Sequence, residues 1–361
     1  MKGEVLVDAY RFMENLVARI GAAKNRIYIQ AMTFEYDSAG KKLIEALKNA
    51  GAPDIRLLID DYSRHVINDR FIFSPRYIFS EPFRREAKDT RNLKHQLEDK
   101  GIQVRFTNPL SPFYLNYPYR NHKKIILIDD EISYLGGINF SDHNFAWHDM
   151  MLRIIDGPLN SELADDFLST WESEDQSKVV QMEESELFLM DGYTSKSQYS
   201  DLFSTITGAR KEIVMISPYV SQPLLGLLKS EVPDEVAIKL ITPSQNNKSI
   251  LQKMMHHECR NSRIKLYAYP GMSHLKAVFI DRKILIFGSS NYDFVSYFFE
   301  QEVILKTRNK TLINDFMHNV LKPDIEKSEV IKTPKKHYFS SFLITTLYRS
   351  LDWLYSNSVQ E

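Results

Sequence analysis

Short apolar runs alternate with helical patterns along the first half of the chain. The runs span four to seven residues and are rich in isoleucine and leucine, which is typical of strands buried on both faces of a sheet. The predicted strands are 26–32, 55–59, 102–106, 124–129, 132–135 and 150–155, and a helix is predicted near 39–49. Strands alternating with helices predict an α/β fold whose sheet is covered on both faces.

The second half repeats this order of elements. Its predicted strands are 212–217, 236–242, 264–268, 276–280, 284–287 and 302–306, with a helix near 224–231. The chain is therefore predicted to be an internal duplication of two α/β domains, each with a mixed central β-sheet flanked by helices. We expect domains at 1–174 and 175–330 and a C-terminal tail at 331–361. The first half carries roughly 20 extra residues between Asp60 and Ile102, and roughly 10 more before His122.

Each half also contains one copy of the same polar motif. A histidine is followed by a lysine two positions later, by an aspartate five positions after that, and by an asparagine near the end of the next strand. The two copies are His122, Lys124, Asp129 and Asn139, and His274, Lys276, Asp281 and Asn291. Because the histidine-to-asparagine spacing is identical in the two copies, we expect both halves to contribute to one shared active site at their interface.

These residue types suit the cleavage of a phosphodiester. A neutral imidazole can attack phosphorus, and a second imidazole can protonate the leaving oxygen. Lysine ammonium groups and asparagine amides can stabilise the charge that develops on the non-bridging oxygens. The motifs therefore predict a phosphohistidine mechanism that needs no metal and no other cofactor.

Each histidine needs a carboxylate that fixes its ring and tautomer. Asp149 and Glu302 stand at the start of the strand that follows each catalytic hairpin. We assign Asp149 to His122 and Glu302 to His274 on that basis, and we count all of these residues in the candidate catalytic set. The motif aspartates Asp129 and Asp281 are included in that set, although their position at a strand end favours a role in holding the hairpin.

The motifs resemble those of the phospholipase D superfamily, and within it the bacterial cardiolipin synthases. The similarity is carried in the first half by Asn121-His122-Lys-Lys124, Gly-Gly-Ile-Asn139 and Trp147-His148-Asp149. In the second half it is carried by Ser217-Pro-Tyr219, His274-Leu-Lys276 and Gly-Ser-Ser-Asn291-Tyr-Asp293. The similarity extends to about residue 325, and it implies the phospholipase D fold in both halves.

The resemblance implies phosphatidyl transfer, in which two phosphatidylglycerols give cardiolipin and glycerol. His122 would be the nucleophile and His274 the general acid, with Lys124, Asn139, Lys276 and Asn291 holding the phosphate. A hydrolytic phospholipase D, a nucleic-acid phosphodiesterase and an inactive membrane-binding scaffold are the alternatives. Two positions depart from the family pattern: Val295 replaces an arginine and Glu300 replaces an asparagine, whereas Ser296 is retained. These departures concern acceptor specificity rather than the phosphodiester chemistry.

Composition narrows the choice of partner. The formal net charge of the 361 residues is −1, so a nucleic-acid substrate is not expected, and anionic phospholipid at a membrane surface is the expected partner. The single cysteine, Cys259, forms no internal disulfide. We find no signal peptide and no run of apolar residues long enough to span a bilayer. The expectation is a cytoplasmic enzyme, peripheral on the inner face of the cell membrane, with no obligate protein partner.

The sequence leaves the roles of four segments open. The aromatic and basic stretch 70–85 is either a lipid-facing lip or an insertion packed on its own domain, and the loop 109–119 is expected to shape the substrate channel. The cluster His256–Cys259 suggests a metal, but a polar helix face is the simpler interpretation. The tail carries an apolar stripe at helical spacing, which suits either a membrane surface or the protein's own core: Phe339, Phe342, Leu343, Leu347, Leu351 and Leu354.

Overall fold

The computed structural model describes residues 2–358, and within that range it describes all side chains except those of 76 and 356–358. The strands of the first half are β1 (Lys2–Val7), β2 (Arg26–Ala31), β3 (Asp54–Asp60), β4 (Val66–Ile67), β5 (Arg70–Phe71), β6 (Gln103–Thr107), β7 (Ile125–Ile128), β8 (Ile132–Gly136) and β9 (Met150–Ile155). Its helices are α1 (Ala9–Ala22), α2 (Ser38–Lys48), α3 (Pro75–Phe79), α4 (Glu81–Arg91), α5 (Leu93–Glu98), α6 (Asp142–Phe145) and α7 (Gly157–Trp171).

The second half has a matching series. Its strands are β10 (Lys178–Gln181), β11 (Ser185–Met190), β12 (Glu212–Ile216), β13 (Ala237–Pro243), β14 (Lys265–Tyr269), β15 (Ala277–Ile280), β16 (Ile284–Gly288), β17 (Glu302–Thr307) and β18 (Glu329–Val330). Its helices are α8 (Lys196–Thr207), α9 (Leu224–Ser230), α10 (Ser249–Cys259), α11 (Phe294–Phe298), α12 (Lys310–Phe316), α13 (Lys322–Lys327) and α14 (Tyr338–Ser358).

The two sheets have the same strand order, which confirms the predicted mixed α/β architecture. The first sheet runs β1-β9-β8-β7-β2-β3-β6, and the second contains the equivalent series β11-β17-β16-β15-β12-β13-β14. In the first sheet the neighbouring strands β2, β3 and β6 are parallel, and in the second sheet β12, β13 and β14 are parallel. The other neighbouring strands of the two series are antiparallel. The second sheet adds β10 and β18 at its edges.

The catalytic hairpins are buried on both faces, which explains their unbroken apolar sequence. On β7, Ile125 and Leu127 join a core that contains residues of both halves, including Phe279 and Leu305. The alternate residues of the same strand, such as Ile126, face the core beneath the helices of the first half. Successive side chains of a strand point to opposite faces. One face of the first sheet therefore packs on helices of its own half, and the other faces the shared core, to which helix α7 also contributes Leu159 and Phe167.

The extra residues of the first half form a separate layer of short elements. The β4–β5 hairpin and helices α3 to α5 occupy the segment between β3 and β6. Phe71 and Phe73 stack on each other and contact Tyr114 of the loop 109–119. Phe79 and Phe113 are exposed, at 85% and 92% of their surface. Stretch 70–85 is thus packed in part on its own domain and exposed in part.

The tail forms the helix α14, which has two apolar faces. Its inner face, with Ile344, Tyr348, Leu351 and Tyr355, packs on the core of the second half beside α10. The outer face carries most of the predicted stripe, and these residues are exposed: Phe339, Phe342, Leu343, Leu347 and Leu354. The tail therefore docks on the protein and still presents an apolar surface. Among the helices of residues 2–358, none is both long and apolar enough to cross a bilayer.

His148 connects the two halves at their interface. Its ring nitrogens lie 2.9 Å from an Asp8 carboxylate oxygen and 3.1 Å from an Asp324 carboxylate oxygen, and the ring stacks on Tyr269. Burial lowers the pKa of His148, but the hydrogen bonds to Asp324 and Asp8 outweigh burial and raise the pKa to about 9. The interface is thus held by a charged imidazolium between two carboxylates.

This arrangement predicts a pH-dependent contribution to stability. Because the folded pKa lies above the ordinary value of roughly 6.5, the contribution is complete below that pH and is lost as the pH rises through about 9. We expect His148→Gln to lower the free energy of unfolding by about 1–3 kcal/mol at pH 6. The deficit should shrink at pH 10, as measured by urea denaturation.

The control is His318→Gln, because His318 is exposed. It should leave the free energy of unfolding unchanged at both pH values. A deficit of equal size for His148→Gln at pH 6 and pH 10 would contradict a charged interface histidine.

Candidate active site

A narrow cavity lies between the two halves and contains both motif histidines. Its volume is about 60 Å³, well below the roughly 300–1,000 Å³ of sites that enclose a drug-sized ligand. The wall is formed by Met32, Thr33, Tyr62, Asp69, His122, Asn139, Asn144, Trp147, Tyr219, Asn247, Lys248, His274, Asn291 and Glu300. The cavity has room for a phosphoryl group but not for a whole lipid.

The histidines and their carboxylates are paired across the interface. The Nδ1 atom of His122 lies 3.0 Å from Glu302, and the Nδ1 atom of His274 lies 2.9 Å from Asp149. The expected assignment of Asp149 to His122 and of Glu302 to His274 is therefore wrong. Each histidine takes its carboxylate from the opposite half.

The sheet order explains this exchange. Within the first sheet β8 separates β9 from β7, so Asp149 cannot reach the histidine of its own hairpin. The backbone instead pairs across the interface: His122 N–H donates to Gln301 O at 2.9 Å, and His274 N–H donates to His148 O at 2.7 Å. These bonds place the residue before each acid beside the opposite histidine.

Burial sets the protonation of both rings. It lowers the pKa of His122 well below its ordinary value, and the charge of Lys124 lowers that pKa further. Burial and the charge of Lys276 do the same for His274. Glu302 at Nδ1 of His122 favours the tautomer that leaves Nε2 of that ring without a proton. Nδ1 of His274 lies within hydrogen-bond distance of both Asp149, at 2.9 Å, and the Lys276 ammonium group, at 2.7 Å. Both imidazoles of the free site are therefore neutral near pH 7, and this is the nucleophilic form.

The motif lysines lie behind the histidines. Lys124 Nζ donates to the carbonyl of His122 at 2.6 Å, and Lys276 Nζ donates to the carbonyl of His274. Neither lysine is part of the cavity wall. Burial lowers the pKa of Lys124 to about 8 and that of Lys276 to about 7. From this position the lysines can stabilise an anion in the cavity by their positive charge, without contacting it directly.

The supporting acids respond to the same burial. Burial raises the pKa of Asp149 to about 6, against the charge of Lys276. Burial also raises the pKa of Glu302, against the charge of Lys124. The hydroxyl of Ser289 donates to Glu302, and Met150 N–H donates to Asp149 at 2.8 Å. These bonds hold the carboxylates in place behind the rings.

Both motif asparagines, Asn139 and Asn291, are part of the cavity wall. The Asn139 Oδ1 atom accepts a hydrogen bond from Thr33 N–H at 3.1 Å, so its amide NH₂ group is the end left for a ligand. The Asn291 Oδ1 atom is buried and makes no hydrogen bond among the described residues. The two amides flank the space between the histidines.

The motif aspartates Asp129 and Asp281 lie away from the cavity, which fits the role in holding the hairpin that their position at a strand end favours. The Asp129 carboxylate accepts the backbone N–H groups of Lys24, Asn25 and Arg26. The Asp281 carboxylate accepts the N–H groups of 210–212 in the same way. Each aspartate ties the end of its hairpin to the start of the neighbouring strand, because β7 and β15 run away from the cavity.

Glu300 stands beside the nucleophile candidate. Its carboxylate lies 3.8 Å from Nδ1 of His122 and accepts a hydrogen bond of 2.7 Å from Ser296. Its charge partly offsets the low pKa of His122. The retained Ser296 therefore orients the residue that departs from the family pattern.

Several wall residues were not identified from the sequence. Lys248 is the basic residue of the wall, and its ammonium group lies over the Tyr219 ring at 4.6 Å. Trp147 packs 5.4 Å from the His274 ring. Tyr219 and Trp147 belong to quoted motifs, but the sequence around Lys248 carries no motif that would have indicated it.

The buried lysines and the amide donors of the wall suit an anion as the ligand of this cavity. His122, Glu300 and Glu302 have ligand atoms close enough to hold a metal ion. However, the buried Lys124 and Lys276 act on the same carboxylates, and their positive charge opposes a bound cation. A phosphodiester anion would instead be stabilised by the lysines and by the amide donors.

Sequence comparison identifies relatives over most of the chain. A family model described as "Cardiolipin synthase, PLD-like domain" matches residues 16–171 and 202–322. The minor cardiolipin synthase of Bacillus subtilis is 24% identical over 265 residues, which are 65% of this chain and 64% of that protein. The chain thus matches somewhat less than two thirds of that relative's length. A cardiolipin synthase of Clostridium perfringens is 22% identical, over 86% of this chain and 70% of its own.

Solved structures show the same fold. Phosphatidylserine synthase of Haemophilus influenzae superposes with a TM-score of 0.70 at 14% identity, over 99% of this chain and 94% of its own. Polyphosphate kinase of Porphyromonas gingivalis superposes with a TM-score of 0.59 at 14% identity, over 97% of this chain and 55% of its own. At these identities the likeness concerns the fold alone.

The crossed pairs can be tested without any substrate. Glu302→Gln removes the charge next to His122, so we expect it to shift the ring ¹⁵N resonances of His122 and to leave those of His274 nearly unchanged. Asp149→Asn should do the reverse. Both are measured by NMR of histidine-labelled protein, with resonances assigned by single histidine substitutions. Shifts confined to the histidine of the same half would contradict the crossed arrangement.

Proposed function

The chain belongs to the cardiolipin synthase, PLD-like domain family, and from this premise we propose that it catalyses phosphatidyl transfer between two phosphatidylglycerols, giving cardiolipin and glycerol. The observation that carries the proposal is the pair of buried, carboxylate-supported histidines that face one narrow cavity. The two relatives described above bear the names of cardiolipin synthases, which supports the choice of substrate.

The proposed reaction proceeds in two displacements at phosphorus. In the first, Nε2 of His122 attacks the phosphorus of one phosphatidylglycerol, the bond to the glycerol headgroup breaks, and His274 gives its proton to the departing oxygen. In the second, His274 takes the proton from the headgroup hydroxyl of another phosphatidylglycerol, whose oxygen attacks the phosphohistidine. Cardiolipin is released, and His122 and His274 return to their starting states.

The first step requires a proton on His274, whereas its pKa in the free site is low. A phosphodiester brings one negative charge into a buried cavity, and a nearby anion raises the pKa of an imidazole. Substrate binding therefore supplies the protonation state that the acid needs. Asp149, bonded to the opposite ring nitrogen, stabilises the imidazolium that results.

The small cavity would hold only the reacting phosphoryl group of the lipid substrate. Because the cavity admits little more than the phosphoryl group, the acyl chains would remain outside it, in the bilayer. The loop 109–119 lies next to the cavity wall, since Tyr117 contacts Tyr62 of that wall. Phe113 and Leu115 of this loop are exposed and suit contact with lipid.

The proposal includes a peripheral position on the inner face of the cell membrane. The outer face of α14, which carries Phe339, Phe342 and Leu347, is the main apolar surface for this contact. Lys335 and Lys336 precede the helix and are exposed, and basic residues next to an apolar helix face favour anionic lipid. The inner face of the same helix keeps this surface fixed to the second half.

Hydrolysis to phosphatidic acid is the second candidate function. It is favoured by Glu300, a carboxylate on the cavity wall 3.8 Å from Nδ1 of His122, which could orient water toward a phosphohistidine. A nucleic-acid substrate is disfavoured by the net charge of −1, and a purely scaffolding role leaves the buried catalytic groups without a purpose.

The function is tested by incubating the purified protein with phosphatidylglycerol liposomes and analysing the lipids by mass spectrometry. We expect cardiolipin and free glycerol, and a loss of at least about 10³-fold in rate for His122→Ala, because the nucleophile is removed. His318→Ala is the matched control and should keep full activity, since His318 is exposed and remote in sequence from both motifs.

If phosphatidic acid is the main product, the activity is hydrolysis and not phosphatidyl transfer. In that case Glu300→Asn, which restores the residue of the family pattern, should raise the ratio of cardiolipin to phosphatidic acid. Turnover of phosphatidylglycerol that persists in His122→Ala would contradict the assigned nucleophile.

The membrane surface is tested by a double substitution, Phe342→Gln with Leu347→Gln. Because each apolar side chain buried in lipid contributes about 1.5–3 kcal/mol, we expect binding to phosphatidylglycerol vesicles to weaken about tenfold or more in a sedimentation assay. Activity on soluble short-chain phosphatidylglycerol should remain unchanged. Tyr10→Gln, which alters an exposed aromatic residue on α1, is the control; unchanged vesicle binding of the double variant would contradict this surface.

A further inference from the structure

Three carboxylates converge in the first half, outside the cavity described above. Glu35 and Asp37 belong to the connection between β2 and α2, and Glu86 lies on α4 of the first-half insertion. One carboxylate oxygen of each lies within 4.8 Å of the others. None of the three belongs to the wall of the catalytic cavity.

The cluster contains a buried oxygen without a partner. Glu35 is only 1% exposed. Its Oε1 atom accepts a hydrogen bond of 3.1 Å from Asn68 N–H, whereas its Oε2 atom is buried and has no hydrogen-bond partner among the described residues. A buried carboxylate oxygen left without a donor is costly, so this atom requires either a proton or a cation.

The charges around the cluster are unbalanced. A fourth acid, Asp142, accepts the N–H groups of Ser38 and Ala39 beside it, and its own N–H donates to Asp37 at 2.5 Å. The nearest basic side chain described is His143, 3.8 Å from Glu35. Burial raises the pKa of Glu35 well above its ordinary value, and the charges of Asp37 and Glu86 add to that effect. The group of acids therefore needs either a shared proton or a cation.

We propose that Glu35, Asp37 and Glu86 form a binding site for a hard divalent cation, with Ca²⁺ as the best match. The ligands are all oxygens, as such cations require. Two oxygens bound to one Ca²⁺ ion lie at most roughly 5.2 Å apart, and the three carboxylate oxygens meet this limit because they lie within 4.8 Å of one another. A groove of about 390 Å³ leads from solvent to Asp37 and Glu86, and Lys41 and Arg85 also line it. Lys41 lies over the Tyr36 ring and Arg85 pairs with Glu81, so neither neutralises the cluster.

A cation here would have a structural effect at the entrance of the catalytic cavity. It would join helix α4 of the insertion, which carries Glu86, to the start of α2, next to Asp37. Asn68 lies between these parts, because it donates hydrogen bonds to both Glu35 and Glu86. The next residue, Asp69, lies on the cavity wall and accepts a hydrogen bond of 2.9 Å from Asn247 of the second half. The site would thus hold the insertion in register with the opposite domain without contacting the reacting atoms.

The site is tested by cation binding, which is independent of any lipid activity. The full-length protein is freed of metal with a chelator, exchanged into chelator-free buffer and titrated with CaCl₂ and then MgCl₂ by calorimetry. We expect one Ca²⁺ per chain, and a thermal unfolding midpoint that rises by a few degrees when Ca²⁺ is at about 100 times its Kd. Glu35→Gln and Glu86→Gln should each weaken Ca²⁺ binding at least about tenfold.

Glu98→Gln is the matched control, because Glu98 is an exposed glutamate in the same insertion, on α5, and lies outside the cluster. It should bind Ca²⁺ as the unsubstituted protein does. No heat of binding and no shift of the midpoint at roughly 10 mM, which exceeds the weakest Kd typical of protein Ca²⁺ sites, would overturn the proposal and leave a proton shared by Glu35 and Glu86. Unchanged Ca²⁺ affinity in both cluster variants would equally overturn it.

Discussion

The exchange of carboxylates between the two halves is the constraint on which the rest of the structure depends. His122 is held by Glu302 and His274 by Asp149, so neither half by itself contains a histidine together with the carboxylate that supports it. The same backbone bonds that join the halves, at Gln301 and at His148, bring the acids to the rings. The interface between the halves and the candidate active site are therefore formed by the same residues. A shift of one half against the other would disturb both histidines at once.

Burial makes this arrangement electrostatically demanding. Two lysines, two histidines and three carboxylates occupy a region where charged forms are poorly solvated, and the pKa changes of Lys276 and Asp149 follow from that. The Lys276 ammonium group lies 4.0 Å from Asp149, and the charge of Glu302 acts on Lys124, which limits the cost. An anion in the cavity would raise the pKa of His274, and the proton that His274 then takes up would offset the charge of the anion.

The sequence predicted the repeat and its motifs well, because both have local signals. Apolar runs gave nearly the observed bounds of the central strands, and the duplicated spacing indicated one shared site. The pairing of acids could not be obtained this way, since it depends on strand order: β8 lies between Asp149 and His122, and no periodicity reveals that. Lys248 was missed for the same reason, as its place on the wall results from tertiary packing alone. The helix α1 was also missed, although Phe12, Leu16 and Ile20 recur at helical spacing and are buried; here a usable signal was overlooked.

The tail illustrates a limit of apolar patterns. Its stripe was interpreted as belonging either to the membrane or to the core, as if a helix had one apolar face. In α14 the residues Ile344, Tyr348 and Leu351 satisfy the core, while Phe342 and Leu347 remain outside. Tyr355, near the C-terminal end of α14, is hydrogen-bonded to Tyr119 at 2.8 Å, and Tyr119 lies three residues before His122. The helix thus links an exposed apolar surface, through one tyrosine pair, to the segment that carries the proposed nucleophile.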